Sequence, residues 1–213
     1  MKHENFPNLY THDHPLLEHK VRILRDRDTT CQTFRRVLGE IAGLMTYEAL
    51  RGVPTIEAPI ETPLTTASAR KLAAPITIVP ILRAGLGMTE GILALVPEAR
   101  TGHIGVQRNE ETLRPIDYYS KLPQDAASGP VLLVDPMLAT GGSAIFAIDY
   151  LRKQGCEHIL MLCLVAAPEG VKRMLAAHPD VAIHAAVLDD HLNDQGYIMP
   201  GLGDAGDRAF GTM

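Results

Sequence analysis

The stretch Val131–Phe146, VLLVDPMLATGGSAIF, combines an apolar run, an aspartate and a small-residue loop that opens a second apolar run. Small residues at Ala139, Gly141 and Gly142 let backbone N–H groups point into one concave space. A helix beginning there adds partial positive charge at its N-terminus. Thr140 and Ser143 add hydroxyl donors, so the loop describes a cradle for a phosphate. It is not a Walker loop, since no lysine follows the glycines, and it is not G-x-G-x-x-G. The plainer reading is a tight strand-to-helix turn capped by Ser or Thr. Asp135 favours the ligand reading: a carboxylate would repel a phosphate it touched, but suits the hydroxyls of a sugar on the same ligand. A ribose 5-phosphate has both features.

Four further stretches carry chemical groups. PILRAGLGM (80–88) places Arg83 before a glycine-bearing turn, where a guanidinium can bind phosphate oxygens bidentately or simply close a strand end. QRNEETLRPIDYYSKLP (107–123) is polar and weakly periodic, which fits a solvated hairpin or a lid that excludes water. GYIMPGLGDAGDRAFGT (196–212) is glycine-rich yet carries Tyr197, Ile198, Met199, Leu202 and Phe210, which favours an ordered loop whose backbone approaches a ligand. VLDDHLND (187–194) sets Asp189, Asp190 and His191 at a strand end, and a metal or base role for His191 is disfavoured.

The elements that must position these groups follow from periodicity. Residues 16–26 and 29–50 have helical spacing, with a capping box expected from Thr29 and Gln32. Prolines 54, 59 and 63 break residues 51–74 into extended pieces, a small flap. Strands are then expected at 76–82, 103–108, 131–135, 159–167 and 181–189, and helices at 87–96, 142–155 and 169–178. Near-continuous apolar strands alternating with helices imply an α/β fold with a parallel central sheet covered on both faces. Ligands of such sheets sit at the strands' carboxyl ends, where every stretch above lies.

Composition narrows the class. The 213 residues suit one domain, 46% hydrophobic content supports a core, and a net charge of −5 argues against a general nucleic-acid binder. Cys31, Cys156 and Cys163 have no metal-site spacing and read as packing or free thiols in a reducing compartment. The N-terminal residues lack a signal-peptide core and no segment is apolar enough to span a membrane, so a cytoplasmic protein without membrane contact is expected. The first residues, with His3, His12 and His14, read as a frayed or surface-lying arm; a metal site from His12 and His14 is the weaker alternative.

DPMLATGGS resembles the phosphoribosyl-pyrophosphate (PRPP) signature of type I phosphoribosyltransferases, with Pro136 where most of that superfamily has a second acid. Together with HPLLEHK (14–20), LMTYEAL (44–50), VPILRAGLGM (79–88), RNEETL (108–113), LVAAPEG (164–170), AHPDV (177–181) and the 196–212 stretch, it resembles the uracil phosphoribosyltransferase family over nearly the whole chain. The resemblance implies a single domain with an N-terminal arm and helix (about 1–28), a flap or hood (about 51–74), a mobile lid (about 107–123) and a uracil-binding loop (about 190–213). It implies transfer of a 5-phosphoribosyl group from PRPP to uracil, giving UMP and pyrophosphate. PRPP would meet Arg83, Arg108, Asp135, Pro136, Met137, Leu138, Ala139, Thr140, Gly141, Gly142, Ser143 and Asp204. Uracil would meet Ile198, Gly203, Asp204 and Ala205. Asp204, Arg83, Arg108 and Asp135 are the expected catalytic groups, with a strained non-proline cis peptide beside Arg83. Mg²⁺ would arrive on PRPP rather than in a dedicated protein site. A homodimer or larger homo-oligomer is expected, with GTP as a candidate effector. Gln107, where relatives commonly have Tyr, leaves the lid's packing open. The alternatives are a phosphoribosyltransferase for another base and an RNA-binding pyrimidine regulator of the same fold.

Overall fold

The computed structural model describes residues 2–108 and 115–212, and of residues 107, 108 and 115–117 the backbone alone. Its strands are β1 (Lys2–His3), β2 (Phe6–Thr11), β3 (Thr55–Glu61), β4 (Thr66–Leu72), β5 (Thr77–Leu82), β6 (Arg100–Thr101), β7 (His103–Arg108), β8 (Pro115–Lys121), β9 (Val131–Val134), β10 (Met137–Leu138), β11 (Ile159–Ala166), β12 (Ala182–Leu188), β13 (His191–Leu192) and β14 (Ile198–Met199). Its α-helices are α1 (Pro15–Arg25), α2 (Cys31–Ala49), α3 (Leu86–Leu95), α4 (Gly142–Lys153), α5 (Pro168–Ala177) and α6 (Ala205–Phe210).

The apolar runs become a central sheet in the order β1-β2-β12-β11-β9-β5-β7-β8. From β2 to β7 the pairings are parallel, and β1 and β8 close the edges antiparallel. Strand side chains alternate between faces. Ile78, Leu132, Val134, Leu162 and Leu164 pack beneath α1, α2 and α3, while Val79, Leu133, Met161 and Cys163 pack with α4 and α5 on the other side. Neither face is wet, which is why these strands are apolar throughout.

Helix α2 shows how pattern becomes packing. Phe34, Val37, Leu38, Ile41, Ala42 and Met45 form one buried stripe at helical spacing. The expected capping box is displaced by one residue. Thr30 is the N-cap, accepting from the Thr33 N–H at 3.3 Å, while the Thr29 hydroxyl donates to the Ile23 carbonyl at 2.6 Å.

The N-terminal residues are not a frayed arm. FPNLYT becomes β2, parallel to β12 through Leu9↔Ile183 and Thr11↔Ala185, and buries Phe6, Asn8 and Leu9. His12 contacts His184, with their ring nitrogens 3.2 Å apart, and His184 stacks on Tyr10. His14 caps α1 by accepting from the Leu16 N–H at 3.1 Å.

Residues 51–74 form a two-stranded antiparallel hairpin, β3–β4, which does not join the central sheet. The polar stretch 107–123 contributes the ends of β7 and β8, paired from His103↔Lys121 to Arg108↔Pro115. Residues 109–114 of the expected lid, and the Arg108 side chain, lie outside the described residues.

Candidate active site

The chain leaves β5 toward β7 on one side and returns to β9 on the other. Strand order therefore reverses between β5 and β9, and the loops beyond their carboxyl ends diverge around a crevice. Arg83 follows β5 and Asp135 follows β9, so the two sequence-selected residues stand on opposite lips of that crevice. Gly85 lays the first loop against the root of the second: a Cβ there would lie 2.5 Å from the Val134 carbonyl oxygen.

The loop after β9 is held by its backbone. The Asp135 N–H donates to Leu162 O at 3.1 Å, and Pro136 O accepts from Leu164 and Val165. Met137 and Leu138 then pair with Val165 and Ala166 as β10. Gly141 turns the chain into α4 with φ +77°, a left-handed conformation that costs glycine least. As N-cap it supplies no side chain for the first amides of α4. Those N–H groups and the helix dipole therefore leave partial positive charge at the start of α4, beyond the carboxyl end of β9. Gly170, at the start of α5, braces the loop from behind, where a Cβ would stand 2.3 Å from Ala139 O. The Arg173 guanidinium donates to Thr140 O at 2.8 Å and completes the support.

Asp135 is the electrostatic anomaly of this loop. Burial pushes its carboxyl up to about 7, the Met137 N–H opposes the shift, and the like charge of Asp204 adds to it. Asp204, distant in sequence, is therefore near enough for its charge to act on Asp135. The Asp135 carboxyl and the uncapped amides at the start of α4 give the loop groups of both polarities, chemistry suited to a ligand with a phosphate and a hydroxyl-bearing portion.

The C-terminal stretch supplies the other wall. The expected loop of 190–213 holds a short β13–β14 hairpin and the six-residue α6 as well as loop. Ile198 is buried, whereas Gly203 and Asp204 are exposed. Asp204 caps α6, accepting from the Asp207 N–H at 2.9 Å. A Cβ on Gly196 would lie 3.9 Å from Thr140 Cγ2, and one on Gly206 3.8 Å from Ala84 Cβ, so this wall borders both strand-end loops. Arg208 anchors it: its guanidinium donates to Leu24 O, to Leu202 O at 2.8 Å and to Asp26 O at 2.5 Å, and lies 4.6 Å over the Phe34 ring. Glu169 accepts from the Leu192 N–H at 3.1 Å.

Arg83 crosses the crevice. Its Nη2 donates to Asp207 Oδ1 at 3.2 Å and its Nη1 reaches Thr212 Oγ1 at 3.4 Å, while Thr212 donates to the same Asp207 oxygen at 2.6 Å. The Leu82–Arg83 peptide is cis, as the resemblance implied. Asp207 was not singled out in the sequence, where it reads as one more charge in GDAGDR. Its only sequence signal is the register of a helix capped by Asp204. His191 is exposed, and among the described residues no group of three or more His, Cys, Asp or Glu could hold a metal. No helix among them is long and apolar enough to cross a membrane.

The family model described as uracil phosphoribosyltransferase matches residues 11–212. A protein of that name from Streptococcus sanguinis is 58% identical over 200 residues, covering 93% of this chain and 96% of the relative. Another, from Ligilactobacillus salivarius, is 55% identical over 201 residues, covering 94% and 96%. The solved structure of the AQ2163 protein from Aquifex aeolicus superposes with a TM-score of 0.90 at 40% identity, covering 95% of this chain and 97% of that one. Adenine phosphoribosyltransferase from Leishmania donovani shares the fold at TM-score 0.59 and 14% identity, covering 91% and 89%. The parallel sheet, its reversal at β5 and β9, and the glycine loop between β9 and α4 are thus those of a type I phosphoribosyltransferase, and the chain belongs to the uracil phosphoribosyltransferase family.

Proposed function

We propose that the chain transfers the 5-phosphoribosyl group of PRPP to uracil, releasing UMP and pyrophosphate. The observation that carries this reading is that the C-terminal wall borders both strand-end loops, Gly196 beside Thr140 and Gly206 beside Ala84, next to the uncapped start of α4. In this reading the amides of 138–143 and the hydroxyls of Thr140 and Ser143 hold the 5′-phosphate. Asp135 faces the ribose hydroxyls, and Arg83 and Arg108 neutralise the pyrophosphate as negative charge grows on it. The backbone of Ile198, Gly203 and Ala205 offers C=O and N–H groups to a small planar base with two carbonyls. In the same reading Asp204 orients the base or takes its N1 proton. Fixing both reactants in line supplies the proximity term.

Mg²⁺ fits this site as a passenger of the substrate. A dication beside Asp135 would relieve the desolvation and the Asp204 repulsion that hold its proton on. When bound it would supply charge neutralisation on the leaving pyrophosphate. Arg83 rests on Asp207, so a phosphate entering the crevice would compete with Asp207 for the guanidinium.

Self-association belongs to the same reading. The β3–β4 hairpin leaves Ile56, Ile60 and Leu64 exposed at 46%, 45% and 94%, and an isolated two-stranded hairpin is marginal in water unless something covers it. A second copy of the chain is the proposed cover. Sedimentation should give a dimer or larger species that Ile56→Ser with Ile60→Ser shifts toward monomer; an unchanged distribution would remove the hairpin from the interface.

The direct test is uracil-dependent release of pyrophosphate from Mg²⁺–PRPP, with other nucleobases as competitors. Asp204→Asn should keep the fold and lose most of that release, and Arg83→Ala should raise the KM for PRPP. Normal turnover by the first variant, or unchanged PRPP kinetics in the second, removes that residue from the site.

A further inference from the structure

On the basis of the uracil-reading assignment of residues 198–205, we propose that Arg25 and Asp189 are positioning residues that set the register of the base-reading backbone through Gly201. Asp189 stands just beyond β12, with its side chain only 3% exposed. Arg25 is the last residue of α1, 164 positions away. The two guanidinium Nη atoms meet the two carboxylate oxygens at 2.9 and 2.6 Å, a bidentate fork.

The fork does more than neutralise a buried charge, because both of its members also grip one glycine. Asp189 Oδ2 accepts the Gly201 N–H at 2.8 Å, and Arg25 Nη1 donates to the Gly201 carbonyl at 2.7 Å. Both backbone hydrogen-bonding groups of Gly201 are thereby consumed by a single ion pair. Asp190, the next residue, donates its N–H to Met199 O at 3.0 Å, so the grip extends back along the segment.

Gly201 in turn fixes the group that would meet the base. It sits at φ +60°, and a Cβ on it would lie 2.1 Å from the Ile198 carbonyl oxygen. Ile198 O therefore rests against the Gly201 Cα, and any displacement of Gly201 moves it. Gly203 and Asp204 follow two and three residues later, and a misplacement of about 1 Å in such a segment can cost orders of magnitude in rate. Among the described residues the side-chain hydrogen bonds of Arg25 and Asp189 stay within this unit, and none reaches residues 135–143. The pair should thus act on uracil and leave PRPP almost unaffected.

Lysine at position 25 keeps the charge but cannot hold two carboxylate oxygens and a carbonyl in one plane. Arg25→Lys and the isosteric Asp189→Asn should each raise the KM for uracil about tenfold while the KM for PRPP stays within about twofold. The double variant should be no worse than the poorer single variant, since both break one unit. Gly201→Ala, which leaves the ion pair in place but crowds Ile198 O, should reproduce the uracil-only defect. Should Asp189→Asn fail to fold, Arg25→Lys and Gly201→Ala carry the same test. The proposal is overturned if these variants lower the melting temperature yet leave uracil KM within twofold of the parent, or if both substrates' KM values rise in parallel. Asp204→Asn, measured alongside, separates the two levels: if it too leaves uracil kinetics unchanged, the base-reading assignment fails rather than the clamp.

Discussion

The two walls of the crevice are built on different physics. The glycine loop after β9 is fixed chiefly by backbone: strand register with β11, a left-handed glycine at 141 and the close approach of Gly170, with Arg173 on Thr140 O added. The C-terminal wall is fixed by charged side chains: Arg208 on three carbonyls, Arg25 with Asp189, Glu169 on Leu192 and, locally, Asp204 on Asp207. Backbone support is insensitive to pH and salt and intolerant of added atoms. Side-chain support tolerates steric change better but fails when one charge is removed, because the partner is left desolvated.

The sharpest way to break that contrast is at Gly170. Gly170→Ala drives a methyl into Ala139 O and Leu138 O, at 2.3 and 2.9 Å, and should raise the KM for PRPP about a hundredfold. Uracil discrimination should survive, and steady-state kinetics with each substrate varied would show the split. Next in size, Arg208→Ala removes the bonds to Leu24, Leu202 and Asp26 and the Phe34 contact. It should cost about 2 kcal/mol of unfolding free energy and weaken uracil more than PRPP, as read by denaturant titration and kinetics.

Two smaller effects concern protons. The Asp135 carboxyl, pushed up to about 7, binds a proton in the folded chain over a range where the unfolded chain does not. Its contribution to stability is present below the unfolded value near 4 and is lost as pH rises toward 7. Asp135→Asn should flatten that decline in melting temperature, and a superimposable profile would deny the shift. His184 behaves oppositely. Burial first, and then the His12 charge, depress it to about 4, so its neutral form contributes stability above the ordinary value of 6.5 that is lost as pH falls from there toward 4. His184→Phe, which keeps a ring against Tyr10, should soften acid unfolding by a small margin and leave the kinetics alone. Altered turnover would tie the β2–β12 edge to the site.

Legibility followed the same divide. The strand, loop and helix start of 131–143 could be read because their determinants are contiguous: an apolar strand, an acid, then glycines. The parallel sheet was readable because strands buried on both faces are apolar throughout. FPNLYT lacks that signature because it is a short strand among histidines and prolines, one place in from the sheet's edge, and it takes its place by pairing with β12 on one side and β1 on the other. The supports of the C-terminal wall were invisible for a different reason. Arg25 and Asp189 are ordinary surface charges until the fold joins them across 164 residues, and Asp207 acquires meaning only when α6 turns it toward Arg83.

A crystal structure with UMP tests the central claim most directly. The 5′-phosphate should lie on the amides between Leu138 and Ser143, with the ribose hydroxyls at Asp135 and the uracil ring against the backbone of Ile198 to Ala205. A phosphate bound anywhere else, or a base directed away from that backbone, would contradict the account.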